Sequence, residues 1–228
     1  MAKLAFLVLC FIFAPVFTYA QNPGEADIVI VKETPNAIYE GSSEHNRIGK
    51  KYQLSLMPVG VGPAFVIWTG LNFGYSVDRN SLFLLSLNDL NKYSRTCTGD
   101  YTCGISGSSL AVSYKKFVNN SFYFTSGASY RKIKYNESEN FGSVSDYAID
   151  FEGNAIALDF SIGNQWQWQN FTLGCDWIGG SLPISNRIET ENITGNLSNG
   201  QTNLDDRKNM YFETFSLSAL NFYIGASF

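Results

Sequence analysis

The sequence predicts an all-β chain: a closed antiparallel up-and-down transmembrane β-barrel of about eight strands. Three observations carry this. Apolar and polar residues alternate over runs longer than the roughly five or six residues of a soluble strand. The connections between the runs alternate between tight and long. The chain also closes on an alternating segment, with Leu220, Phe222, Ile224, Ala226 and Phe228 on one face and Asn221, Tyr223, Gly225 and Ser227 on the other. A strand whose outer face meets lipid gives that ending a physical reason.

Residues 1–20 read as a secretory signal peptide. Lys3 supplies the positive start, Leu4 to Phe17 the apolar run, and Thr18-Tyr19-Ala20 the cleavage site. The run is shorter than the roughly 20 apolar residues of a spanning helix. Leu9 is too large for lipoprotein cleavage at Cys10. Pro35, Gly41-Ser42-Ser43 and Lys50-Lys51 then interrupt any long strand, so residues 21–50 are expected to form a periplasmic N-terminal segment that at most touches the barrel mouth.

The barrel is expected over 51–228. Its clearest strand runs from Phe65 to Val77: Phe65, Ile67, Thr69, Leu71, Phe73, Tyr75 and Val77 alternate with smaller or more polar residues. That length meets the roughly nine to eleven residues a tilted strand needs to cross a bilayer. The same period places strands at 51–59, 80–92, 108–117, 121–134, 146–163, 168–183 and 210–228. The 146–163 segment changes phase: Tyr147, Ile149 and Phe151 lead, then Ile156, Leu158, Phe160 and Ile162. A bulge at Glu152-Gly153-Asn154 is expected to restore one apolar face.

Tight turns are expected at Asp78-Arg79-Asn80, Val118-Asn119-Asn120 and Gly163-Asn164-Gln165-Trp166. Longer polar loops fall at 93–107, 135–145 and 184–209, while the Gly60-Val61-Gly62-Pro63 connection is short. Short periplasmic turns and long outer loops are the asymmetry of outer-membrane barrels. Aromatic residues gather beside the short turns, with Trp166, Trp168, Phe171, Phe222, Tyr223 and Phe228 at one level, as in an interfacial girdle.

Composition excludes other classes. Aromatics make up 15% of the chain, with 18 Phe and 13 Tyr, and the net charge of −4 comes without a basic run for nucleic acid. Cys97 and Cys103 flank a polar segment and are expected to form a disulfide. Cys175 reads as a small apolar strand residue. With a single histidine, His45, and no CxxC pair, neither a metal site, a cofactor nor a Ser/His/acid triad is expected. Asn-x-Ser/Thr sequons such as those at Asn119 and Asn170 are explained by turn chemistry.

Lys115, Arg131, Asp159, Asp176 and Glu213 fall in phase with the polar faces. A barrel of about eight strands has an interior just wide enough for side chains, so these residues are expected to pair across the lumen as a polar plug. The 184–209 loop, rich in charge, Asn and Gly, is expected to be a mobile surface segment that offers a site to a surface ligand.

The terminal Leu-Asn-Phe-Tyr-Ile-Gly-Ala-Ser-Phe resembles the C-terminal strand of bacterial outer-membrane barrels, and residues 50–228 resemble the small barrels of the OmpX, OmpW and OmpA-barrel type. The resemblance implies a monomer in the outer membrane of a Gram-negative cell, in contact with outer-membrane lipid. It implies that the insertion machinery reads the C-terminal strand, with Phe222, Tyr223 and Phe228 in the signal. It further implies a non-enzymatic structural, surface-interaction or narrow, porin-like role. The alternative is a soluble secreted barrel of lipocalin type, whose interior would hold a small apolar ligand.

Overall fold

The structure is a computed structural model that describes residues 41–61, 67–96, 101–139, 147–195 and 197–228. The chain separates into two units, Met1–Ala37 and Ile38–Phe228, and every described residue lies in the second. The expected signal peptide and residues 21–40 lie outside the described residues.

Eight strands form a closed antiparallel barrel: β1 (Tyr52–Val61), β2 (Ile67–Asp78), β3 (Ser81–Thr96), β4 (Tyr101–Phe117), β5 (Phe122–Glu139), β6 (Tyr147–Trp168), β7 (Phe171–Gly195) and β8 (Ser216–Ser227). A short helix, α1 (Ser43–Arg47), precedes β1, and a second, α2 (Leu197–Lys208), joins a π-helical turn at Asn209–Glu213 before β8. The ring closes where the Tyr52 amide donates to the Phe228 carbonyl at 2.8 Å and the Phe228 amide returns to the Tyr52 carbonyl at 2.9 Å. Closure removes the sheet edges, so the backbone groups of the ladder find partners without water.

The alternation read from the sequence becomes an inside and an outside. In β2, Leu71, Phe73, Tyr75 and Val77 face outward and Trp68 and Gly74 inward. In β8, Leu217, Phe222 and Ile224 are exposed while Tyr223 and Ser227 are buried. The lumen is therefore the polar side over most of the barrel, the reverse of what a lipocalin-type interior requires.

Strand boundaries differ from the sequence reading at both ends. The third tight turn is Gln169-Asn170, between β6 and β7, not Gly163–Trp166. Gly163 lies inside β6 because a Cβ there would stand 2.6 Å from the Tyr123 hydroxyl; its small size is a packing requirement and not a turn signal. At the long-loop end, β5 continues to Glu139 and β7 to Gly195, through segments expected to be loops. The 184–209 segment is thus strand and helix. Residues 210–215, expected to begin the last strand, include the π-helical turn, which buries Phe212.

The phase change in β6 has a different cause from the expected bulge at Glu152–Asn154. The β5–β6 ladder runs without a shift from Phe122↔Asn164 to Ser138↔Ala148. The irregularities fall instead on β7: against the 22 residues of β6, its 25 residues leave Trp177, Ile184 and Glu189 without a partner in that ladder. β6 stays regular, and its environment inverts. Towards the long-loop end Ile133, Tyr135, Ile149 and Phe151 face inward, where they pack with Leu204 and Phe212, while Lys132 and Lys134 point outward. This upper part, the crown, has an apolar inside and a polar outside, as a soluble protein does.

Candidate functional site

Among the described residues, the lumen is where charged and polar side chains of many strands converge, and it is layered. At the short-turn end, α1 sits against all three tight turns. Ser42 caps it by accepting from the His45 amide at 3.1 Å. The Arg47 guanidinium donates to the Arg79 carbonyl at 3.0 Å and the Asn120 carbonyl at 2.7 Å, and lies 3.8 Å over the Phe117 ring. Asn46 donates to the Gln167 carbonyl at 3.0 Å, and the Gln167 amide donates to Ser43 Oγ at 3.1 Å. Burial lowers the pKa of Arg47 to about 10, with the Glu44 charge opposing that shift, so the residue stays charged at neutral pH. α1 is a stopper.

Above it lies a lock of hydrogen-bonded side chains. Lys115 Nζ donates to Tyr223 OH at 2.9 Å and Gln165 Oε1 at 3.3 Å, and lies 4.0 Å from the centre of the Tyr123 ring. Tyr123 OH donates to Asp176 at 2.5 Å, and Tyr223 OH meets Gln165 Oε1 at 3.0 Å. Gln165 reaches across to Gln53 Oε1 at 3.1 Å. Gly174 makes room for Tyr223, since a Cβ there would fall 2.0 Å from its ring. Further up, Arg131 bonds Asp159 and Ser181, each at 2.5 Å, and Ser129 at 3.1 Å.

Of the residues expected in the lumen, Lys115, Arg131, Asp159 and Asp176 line its cavity, in two separate groups. Glu213 does not: it is exposed on the π-helical turn, because β8 begins only at Ser216. Among the expected girdle residues, Phe222, Trp168 and Phe228 are exposed on the outer face, with Phe228 near Tyr52 and Trp168 near Phe171. Trp166 meets Trp177 edge-on with ring centres 6.5 Å apart. Tyr223 is corrected from girdle to lumen, where its hydroxyl is bonded; Phe117, beside the second turn, is likewise inward under Arg47. Cys103 is disulfide-bonded; Cys97, its expected partner, lies outside the described residues. Cys175 is free and buried.

Sequence reasoning missed Tyr123, Gln53, Gln165 and Gln167. Their signal was available: Gln53, Gln165 and Gln167 alternate with apolar or aromatic neighbours and fall on the face that the lumen phase selects.

No protein-family model matches the sequence, and no curated protein matches it. Among solved structures it is similar to a major outer membrane protein from Thermus thermophilus, at 9% identity and a TM-score of 0.53, over 79% of this chain and 100% of that one. It is also similar to Acinetobacter baumannii CarO, at 14% identity and a TM-score of 0.45, over 78% of this chain and 96% of that one. The fold is the eight-stranded barrel of outer-membrane proteins.

Proposed function

We propose that this chain is an integral outer-membrane protein of the small-barrel class that OmpX, OmpW and the OmpA barrel represent, with a structural or surface-interaction role and no enzymatic one. The observation that carries this reading is the inversion across the barrel wall. Leu85, Leu87 and Val112 face outward at the barrel's waist, while Lys115, Gln165 and Asp176 face inward. Apolar surface turned outward on this scale is favourable only against lipid. The layers that fill the lumen speak against free diffusion through it. His45 lies on α1 at the short-turn mouth, far in the fold from the crown, so it cannot serve there as the base for a serine or thiol nucleophile. The insertion machinery is proposed as a partner of the last strand, and the outward polar face of the crown as the surface for an external ligand.

The test has two readouts. Unheated protein should migrate differently from heated protein on a gel and fractionate with the outer membrane. In planar bilayers it should give no stable open-channel current. A periplasmic monomer that folds without detergent supports the soluble alternative and ends this reading.

A further inference from the structure

Between the lock and the packed crown the lumen holds a cavity of about 200 Å³. Gln53, Ser55, Trp68 and Thr125 line it, and each presents an atom that makes no hydrogen bond to the protein: Gln53 Nε2, Ser55 Oγ, Trp68 Nε1 and Thr125 Oγ1. Gln53, Ser55 and Trp68 are each more than nine-tenths buried. Buried polar atoms without partners are costly, and four on one wall mark a place built for something polar. Trp68 is the telling residue. Its ring packs with the crown core while its N–H belongs to the chamber.

The chemistry of the occupant follows from what is already paired. Arg131 is bonded to Asp159, and Lys115 and Asp176 are both held within the lock. The charged wall is formally neutral, so an ion would meet as much repulsion as attraction. An apolar guest would leave the two N–H groups and two hydroxyls unmet. The volume equals that of about six waters at ~30 Å³ each. We propose that this chamber binds a small uncharged polyhydroxylated solute of glycerol or erythritol size, with Trp68 and Gln53 donating to its oxygens. It enters from the long-loop end. There the closure is the packing of Leu204 and Phe212, latched by Arg207 to Glu137 at 3.0 Å, whereas α1 ties the other end to three turns.

Full-length protein in micelles, labelled at tryptophan indole nitrogens, is titrated with glycerol, erythritol and sodium acetate, and Trp68→Phe assigns the Trp68 resonance. The Trp68 N–H should shift saturably with the polyols while the other three indoles stay still, and acetate should leave it unmoved. Thr125→Val should weaken binding about five- to tenfold, what one hydrogen bond is worth. Both variants should keep the heat-dependent gel shift of the parent. Arg207→Ala should speed exchange without changing affinity. A linear, unsaturable shift, or one shared by all four indoles, means that the chamber holds water only and overturns the proposal. Equal binding of acetate overturns its charge argument, and an unchanged exchange rate in Arg207→Ala overturns the route.

Discussion

The Lys115 ammonium lies between two aromatic faces, 4.0 Å from the centre of Tyr123 and 4.5 Å from that of Tyr223, while Tyr123 passes its own hydrogen bond to Asp176. A cation from β4 is thereby joined to a carboxylate from β7 through a ring from β5. Desolvated cation–π contacts contribute about 2 kcal/mol each, and together they offset part of the cost of burying the charge. Lys115→Met should therefore lower stability by about 3–5 kcal/mol, since it strands a buried carboxylate. Adding Asp176→Asn should cost less than the sum, by about 1–2 kcal/mol of coupling. Urea midpoints read from the gel shift of the folded band check this, and strictly additive losses would show that the two charges do not communicate.

Arg47 holds the stopper, but the lock lies beyond it. Arg47→Ala removes two hydrogen bonds to turn carbonyls, about 1–3 kcal/mol, and should expose α1 to protease. Bilayer current should stay at the parent level. Channel opening in this variant would make α1, and not the lock, the barrier.

The inverted crown predicts that one kind of substitution has opposite effects at two heights. Leu85→Arg, on the outer face of the waist, should cost about 2–4 kcal/mol in lipid vesicles. Lys134→Leu, on the outer face of the crown, should change stability by less than about 0.5 kcal/mol. Ile133→Ala, inside the crown, should cost about 2–4 kcal/mol and should raise proteolysis of 197–213 while leaving the barrel folded. A costly Lys134→Leu would place the lipid boundary higher than proposed.

Peptide mapping without reductant should recover Cys103 linked to Cys97, with Cys175 alkylated only after unfolding. Recovery of Cys97 as a free thiol would refute the expected pairing. Reduction should loosen the crown, which contains Cys103 in its core, and leave the heat-dependent gel shift intact.

The barrel itself was legible because a strand presents alternate residues to two media, and a period of two survives in the sequence wherever those media differ. Phe65 to Val77 announced a wall with lipid on one side, and Lys115, Arg131, Asp159 and Asp176 announced what stands behind it. The same rule misled where the media changed places. Ile149 and Phe151 looked out of phase with Ile156 and Phe160, which pointed to a bulge in β6. The strand was regular, and only its surroundings had inverted. Gly163 misled for a related reason, since a turn and a space left for a neighbouring ring ask for the same residue.

By itself, then, the sequence determined the strand period, the short-turn chemistry and the sign of each face, all of which depend on residues close along the chain. The tertiary structure alone decided that α1 seats on three turns, that Tyr223 turns inward over Gly174, and that Lys115 meets Tyr123 and Tyr223. Those contacts join residues far apart in sequence, and they exist only once closure and register have brought distant strands to the same height in the lumen.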